Sequence, residues 1–284
     1  MAFTVPVVAI FTNGALSSAT PELRRARFLG DLARANEAWG SGFPGGVRCE
    51  LSFVSLREFY RSDVTINAGS VTSVDDPRVD SLINDARKAL NDATAIYTVY
   101  LSGLTFSTGA IGNGGPAFKF FRSPTDYGLY GRASLSDRAL DTYAFAHEAG
   151  HCLFGRFTST IDTTSFTIND PSNPGSAHSS NPKNLMYPIV PSSDPIINAT
   201  QCTIARDSRI VMETVASTSR NNASTARKKK DPVTARKLNK SIAAKLKTMK
   251  PTRVRTKRTT SKTSTANKQC CKPAVKGGRI LKKK

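Results

Sequence analysis

The sequence predicts a mixed α/β domain over residues 1–217, followed by a basic and largely disordered tail over residues 218–284. Strand and helix patterns alternate through the first half of the chain. This order is expected of an α/β or α+β sandwich built on a mixed, twisted sheet. After Ser219 apolar residues become sparse and Thr, Ser and Lys dominate, so most of that stretch lacks the apolar surface that a packed core needs.

The first three elements follow from hydrophobic periodicity. Val5 to Thr12 is a mostly apolar run that predicts a buried strand. Thr20 and Pro21 are the residue types of a helix N-cap and of the first helical position. The apolar residues of that helix recur at helical spacing: Phe28, Leu32, Ala35 and Trp39. Apolar and polar residues alternate from Val47 to Phe53, which predicts a half-buried strand.

A second helix, a third strand and a loop are predicted next. The helix begins at Asp76-Pro77 and presents an apolar face as far as Leu90, and the strand is Ala95 to Leu101. The glycine-rich stretch Gly109–Gly115 lacks phosphate-binding spacing and predicts a flexible loop. Two weaker strand candidates are Ala117–Phe121 and Gly128–Ala133.

Two more helices are predicted in the second half of the domain. Ser136 can cap a long helix that runs from Asp137 to about Phe154. Residues 155–195 are rich in turn-forming residues, proline among them. A final helix from about Ala199 to Val215 would close the domain.

Charge separates the domain from the tail. The whole chain carries a formal charge of +20, from 41 Lys and Arg against 21 Asp and Glu. Residues 220–284 hold 23 of the basic residues and one acidic residue, so they carry +22 and the remainder carries −2. This concentration predicts salt-sensitive binding of nucleic acid or another polyanion, although such clusters also occur in nuclear localisation signals and membrane contacts. Within the tail, residues 234–249 have the pattern of an amphipathic helix.

The cysteines and the N-terminus bear on the cell compartment. The spacing of the five cysteines matches neither a zinc knuckle nor a disulfide framework, which favours reduced thiols. No basic segment precedes the first apolar run, so no signal peptide is predicted, and no apolar run is long enough to span a membrane. The sequence therefore favours an intracellular, nuclear or virion-associated protein over a secreted one.

The chemistry is concentrated in Ala146-His147-Glu148-Ala149-Gly150-His151. Residues four apart share one face of a helix, so both histidines can reach one metal ion. Glu148 is offset from that face and can accept a proton from a water molecule that the metal activates. The chain has three histidines in all, and they fall between His147 and His178, which favours a zinc site over chance. His178 is the remaining candidate for the third ligand that a catalytic zinc needs.

The residues after His178 carry a resemblance to a known family. His178-Ser179 is followed after a short turn by Leu185-Met186-Tyr187-Pro188, which resembles the third ligand and Met-turn of the matrixins among the metzincin zinc proteases. The resemblance implies a zincin-like sandwich with an active-site helix and covers roughly residues 1–215. It implies that His147, His151 and His178 are Zn²⁺ ligands and that Glu148 is the catalytic base. It also implies that Met186 is the Met-turn residue and that residues 188–190 form a wall of the S1′ pocket. Those three residues are Pro188, Ile189 and Val190.

The segment between the second and third histidines departs from the compact family motif. Phe154 stands where the family has glycine, and His178 comes 27 residues after His151 instead of six. Leishmanolysin-like members tolerate an insertion at this place. Other candidates for the third ligand therefore stay open. They are Asp162 and Asp170 in the insertion and Glu213 after it.

Two functions are compatible with the sequence. The first is a zinc-dependent endopeptidase in which Glu148 assists attack of zinc-activated water on a peptide or protein substrate, with the tail localising the enzyme. The second is a catalytically inert module of the same fold that acts through its polycationic tail as a structural or packaging protein. Glu148 favours the first, because a site without catalysis has no chemical need for it.

Overall fold

The computed structural model describes residues 2–123, 125–159 and 164–214. Within these ranges the chain forms a mixed α/β domain with one large sheet, a small hairpin and four α-helices. The predicted boundary at residue 217, the basic tail and its helix at 234–249 lie outside the described residues. No helix within those ranges is long and apolar enough to cross a membrane.

The large sheet has the strand order β2-β1-β3-β5-β4. Its strands are β1 (Ala2–Asn13), β2 (Leu51–Thr65), β3 (Ile96–Tyr100), β4 (Gly112–Ser123) and β5 (Asp126–Leu135). Neighbouring strands are parallel except for β4, which runs antiparallel to β5. The strand β8 (Met212–Thr214) pairs antiparallel with the start of β1. A separate hairpin consists of β6 (Arg156–Ser159) and β7 (Thr164–Thr167).

Helices cover both faces of the sheet. They are α1 (Pro21–Ala35), α2 (Pro77–Ala89), α3 (Ala144–Leu153) and α4 (Ala199–Arg206). Alternate residues of β1 pack into two different hydrophobic cores, one on each face of the sheet. Val7 packs in the core that contains residues of α1, α3 and α4, and Val8 packs in the core that contains residues of α2. The predicted sandwich is therefore confirmed, with α3 on the larger of its two apolar cores.

The starts of α1 and α2 follow the predicted capping chemistry. The side chain of Thr20 accepts a hydrogen bond from the Leu23 amide, and Pro21 opens the helix. The side chain of Asp76 likewise accepts from the Arg78 amide ahead of α2. Both predicted helix starts are confirmed, because a local side-chain oxygen satisfies an otherwise unpaired backbone N–H at each one.

Four predicted elements are wrong in their bounds. The strand predicted over Val47–Phe53 begins only at Leu51 and continues to Thr65. The flexible loop predicted at Gly109–Gly115 is in part a strand, since β4 begins at Gly112. The helix predicted from Asp137 is interrupted, because residues 137–139 form a 3₁₀ turn, Asp141 adopts a left-handed conformation and α3 begins at Ala144. Ser136 does not cap it, since its hydroxyl donates to the carbonyl oxygens of neighbouring loops. The last helix ends at Arg206, after which the chain turns back to pair with β1.

The expectation of reduced thiols is wrong for two cysteines. Cys49 and Cys202 form a disulfide, with their Cα atoms 5.2 Å apart across a separation of 153 residues. Cys152 is a buried free thiol, and Cys270 and Cys271 lie outside the described residues. The pair could not be recognised from spacing, because folding alone brings the segment before β2 against α4.

Candidate metal centre

The helix α3 is buried on every side and carries the first two histidines and Glu148. Its sequence is apolar apart from those residues, which suits a helix inside a core. The indole Nε1–H of Trp39 donates a 3.0 Å hydrogen bond to the carbonyl oxygen of Ala146. This hydrogen bond connects the segment after α1 to the turn of α3 that carries His147.

The structure brings the three histidines together. Their candidate ligand nitrogens all lie within 4.8 Å of one another. The Nε2 atoms of His147 and His151 are 3.1 Å apart. Two nitrogens bound to one tetrahedral zinc at its usual bond length would lie about 3.3 Å apart, so this spacing fits a shared ion. The His178 ring lies 5.4 Å from the His147 ring and 4.8 Å from the His151 ring, between centroids.

Burial keeps these imidazoles neutral. Burial and, to a lesser extent, the neighbouring His178 ring lower the pKa of His147 to about 4, although the contact with the Leu185 carbonyl oxygen opposes the shift. Burial also lowers the pKa of His151 and of His178. Neutral imidazoles have a free lone pair for a cation, whereas three imidazolium ions at this spacing would repel one another. The donor set therefore suits a divalent metal of the zinc type.

The orientation of His147 is set by a backbone group. Its Nδ1 lies 2.7 Å from the carbonyl oxygen of Leu185 and donates to it, which leaves the Nε2 lone pair facing the cluster. The Nδ1 of His151 is buried and has no hydrogen-bond partner among the described residues. The two candidate ligands of α3 are thus held differently, His147 by a hydrogen bond to the chain before Met186 and His151 by packing.

Glu148 follows His147 on α3 and packs against the edge strand β4. A Cβ added at Gly112 would stand 2.6 Å from its Oε1, and one added at Gly114 would stand 2.9 Å from its Oε2. Both distances are too short for real contacts, so only glycine allows the carboxylate this position. Burial raises the pKa of Glu148 to about 8. A buried carboxyl with a raised pKa is suited to holding and releasing a proton near neutral pH.

Two of the three alternative ligands, Asp170 and Glu213, lie within the described residues, and neither belongs to the histidine cluster. The Asp170 carboxylate is fully buried and accepts hydrogen bonds from Ser172 and Gln201. Glu213 is exposed on β8, where it pairs with Phe3 of β1. Asp162 lies outside the described residues. His178 is therefore the third residue that the structure places with His147 and His151.

Met186 lies directly beneath α3. Its side chain is buried, and a Cβ added at Gly150 would collide with its sulfur. Gly150 sits between the two ligand histidines of the helix, so the methionine packs under the turn that joins them. The segment reaches this position because the Ser179 amide donates to the Met186 carbonyl oxygen.

The residues expected to line a substrate pocket lie just beyond Met186. Pro188 and Ile189 are exposed, Ile189 to 75%, while Val190 packs partly against the larger core. A polar cavity of about 380 Å³ is lined by residues 45–47, 172, 179–181, 184 and 196–199. Neither Pro188 nor Val190 lines it, so a pocket wall at 188–190 stays a prediction.

Comparison with known proteins identifies no family. No protein-family model matches the chain, and no curated protein matches it. Among solved structures it is similar to metalloproteinase-II from Bacteroides fragilis, at 14% sequence identity and a TM-score of 0.42. The match covers 72% of this chain and 52% of that one, so this chain spans about half of that protein. A likeness this distant assigns neither family nor activity, and the metal centre is defined by its own geometry.

Several residues that shape the centre were not found from the sequence. Gly112 and Gly114 were assigned to a flexible loop, although their lack of a side chain is what admits Glu148. Trp39 was placed on the apolar face of the first helix without a link to α3. Gln201, which contacts the insertion, was not recognised at all. A glycine pair next to a predicted strand was the one available signal, and it indicates a close approach as readily as a loop.

Proposed function

We propose that this chain is a zinc-dependent endopeptidase in which His147, His151 and His178 hold the metal and Glu148 is the catalytic base. One observation carries the proposal: three imidazoles that burial keeps neutral converge at ligand spacing, and the residue that follows the first of them carries a buried carboxyl group. Three protein ligands leave one position of a tetrahedral zinc open, which is the arrangement of catalytic sites and not of structural ones.

In the proposed hydrolysis of a peptide bond, the residues around the metal have different roles. When bound, zinc would act as a Lewis acid on water and on the peptide carbonyl. Glu148 would accept a proton from the attacking water and deliver it to the leaving amine nitrogen. Gly112 and Gly114 hold β4 close enough to exclude bulk water from one side of that carboxylate. Met186 packs beneath the ligand turn and acts in this proposal as the Met-turn residue.

The edge strand β4 supports an extended peptide as the substrate. It pairs with β5 on one side, and no other described strand pairs with its outer side. The backbone of such an edge can hydrogen-bond to an added strand. Because β4 passes directly beside Glu148, a peptide bound there would run past the metal centre.

Metal analysis and proteolysis test the proposal together. Purified protein should contain about one zinc per chain and cleave casein. Glu148→Gln keeps the shape of the side chain, so it should retain zinc and lose almost all cleavage. His178→Ala should lose both. Protein that carries no stoichiometric transition metal would contradict the metal site. A Glu148→Gln variant with full activity would leave the site intact and remove the assigned base.

We propose that the tail binds a polyanion, and that nucleic acid is the favoured one, because residues 220–284 carry a net charge of +22. Removing the chain from residue 220 onward should spare casein cleavage and abolish salt-sensitive retention on DNA. The alternative, an inert module acting only through its tail, predicts that full-length protein binds DNA while Glu148→Gln changes nothing measurable. The two functions therefore differ in the outcome of a single substitution.

A further inference from the structure

Gln201 of α4 is completely buried and uses its whole side-chain amide. Its Nε2 donates to Asp170 Oδ2 at 2.6 Å and to Asn184 Oδ1 at 2.9 Å. Its Oε1 accepts from Asn184 Nδ2 at 2.9 Å and from the Asn198 amide at 3.0 Å. These four bonds exhaust the two donors and two acceptors of the group. A saturated buried amide fixes the relative positions of the groups that it joins.

On one side Gln201 holds the turn that ends in His178. Asp170 is fully buried, and its Oδ1 accepts from both the amide and the hydroxyl of Ser172. The same turn is closed by the Asp170 amide, which donates to the Ser176 carbonyl oxygen. Asn173 then donates from Nδ2 to the carbonyl oxygen of His178 at 2.8 Å. Movement of Asp170 would therefore be passed to the third histidine.

On the other side Gln201 holds the chain around Met186. Asn184 is buried, and its Oδ1 also accepts from the Met186 amide at 2.9 Å. The next residue, Leu185, offers the carbonyl oxygen that orients His147. Asn184 thus connects Gln201 to both the methionine beneath α3 and the hydrogen bond that orients the first histidine.

We propose that Gln201 is a positioning residue for the metal centre, which locks the insertion that carries His178 to the segment that supports His147. The inference rests on the proposed metal site. In a compact motif the third ligand follows the helix within a few residues, and the short connection alone restricts it. Here 26 residues separate the two ligands, so the connection alone restricts His178 weakly, and the Gln201 bonds act together with the Ser179–Met186 backbone bond to position it.

The helix that carries Gln201 is itself fastened to the domain. Cys202, the next residue, forms the disulfide with Cys49. Arg206, at the end of α4, donates from Nε to the Cys49 carbonyl oxygen at 2.7 Å. A short helix of eight residues would otherwise be a weak support for a metal ligand.

The substitution Gln201→Glu, made in the full-length protein, tests the positioning role of Gln201 with the least change in side-chain shape. Glutamate keeps the acceptor for the Asn198 and Asn184 donors, but it has no donor for Asp170 Oδ2 or Asn184 Oδ1 and places a second carboxylate against Asp170. Zinc affinity, measured by competition with a chromophoric chelator, should fall about 10- to 100-fold. The visible absorption spectrum of the Co²⁺-substituted protein should change as well, because it reports the geometry of the ligands.

The double variant Gln201→Glu/Asp170→Asn supplies the rescue. It exchanges donor and acceptor and restores the hydrogen bond between positions 170 and 201, so it should recover part of the lost affinity, while Asn184 Oδ1 still lacks the donor that Gln201 supplied. Thr203→Ala changes an exposed residue of the same helix and should match the parent. If Gln201→Glu does not fold, Asp170→Asn alone replaces it as the weakened variant, and the double variant should again recover.

The outcomes separate this inference from the proposed function. Parental zinc affinity in Gln201→Glu, with His178→Ala weakened, would overturn only the positioning role. A lower melting temperature of the metal-free variant with unchanged affinity and cobalt spectrum would also overturn it, because Gln201 would then stabilise the fold alone. If His178→Ala binds zinc as tightly as the parent, the proposed metal site itself is wrong.

Discussion

The Nδ1 of His147 donates to the carbonyl oxygen of Leu185, 2.7 Å away and 38 residues later in the chain. This bond joins α3 to the segment that packs against it. The next residue, Met186, packs its sulfur against Gly150 on the same turn of α3. A change at the Met186–Gly150 contact should therefore affect the candidate metal ligands in two ways, through the packing of α3 and through the His147–Leu185 hydrogen bond.

Gly150→Ala is expected to destabilise the protein and weaken zinc binding. Alanine normally stabilises a helix by about 1 kcal/mol relative to glycine. Here the added methyl would collide with the Met186 sulfur and approach the Trp39 ring to 3.0 Å, so overpacking should cost roughly 1–3 kcal/mol instead. Urea unfolding of the metal-free protein and chelator competition measure the two effects.

Gly175→Ala is the control for this substitution, because a Cβ at that position meets nothing within 4 Å. It should leave both quantities unchanged. A Gly150→Ala protein that is more stable than the parent would show that Met186 does not restrict the helix.

Gly114→Ala is expected to lower catalysis while zinc is retained. A Cβ at this position would stand 2.7 Å from the Glu148 Cβ and 2.8 Å from its carbonyl oxygen, so Glu148 must move from the position in which it is proposed to act as the base. Loss of a positioned general base typically costs about 10²–10⁴-fold in rate, and a displaced one should lose part of that. Casein cleavage and zinc content are the measurements.

The adjacent glycine of β4 gives a matched control. A Cβ at Gly115 would meet only the Val74 side chain, at 3.9 Å, which is an ordinary contact. Gly115→Ala should therefore cleave casein as the parent does. Equal activity in the two alanine variants would mean that β4 does not constrain Glu148.

The sequence predicted those features that depend on near neighbours in the chain. The caps at Thr20 and Asp76 are local hydrogen bonds, and the four-residue spacing of His147 and His151 follows from helix geometry. These elements could be assigned without knowing what packs against them. The apolar runs of β1 and β3 were equally clear, because a central strand is buried on both faces.

Features that depend on distant parts of the chain could not be predicted in this way. The strand that begins at Gly112 has a poor strand composition, and its place is set by remote partners, since it pairs with β5 and lies against Glu148. The start of α3 is delayed because the Asp137 carboxylate accepts amide hydrogen bonds from Leu16 and Gly103, which holds residues 137–139 out of the helix. Gln201 was missed for the same reason, since both segments that it joins are remote in sequence.

Removal of the disulfide by Cys49→Ser/Cys202→Ser is expected to lower the free energy of unfolding. The bond closes a long loop, and chain-entropy arguments give about 4–5 kcal/mol for loops of that order, as an upper figure. Thermal unfolding with and without a phosphine reductant measures the effect. The reductant should lower the melting temperature of the parent and leave that of the double variant unchanged. If the reductant shifts both equally, the two sulfurs are not bonded in the parent.

The carboxylate of Asp137 should make stability depend on pH below neutrality. Burial raises its pKa to about 6, although the amides of Leu16 and Gly103 and the charge of Arg27 oppose the shift. Because the folded protein then binds more protons than the unfolded chain between about pH 4 and pH 6, rising pH costs stability through that window. The full cost at neutral pH is about 3 kcal/mol.

Asp137→Asn removes this titration and isolates it from all the others. Asparagine leaves one of the two amides without an acceptor, but that loss does not vary with pH. The stability of the parent minus that of the variant should therefore shrink by up to about 3 kcal/mol as pH rises from 4 to 7. Urea unfolding of both proteins at several pH values gives the difference directly, and titration of the histidines cancels in it. Parallel stability curves would mean that Asp137 ionises in the fold as it does in the unfolded chain.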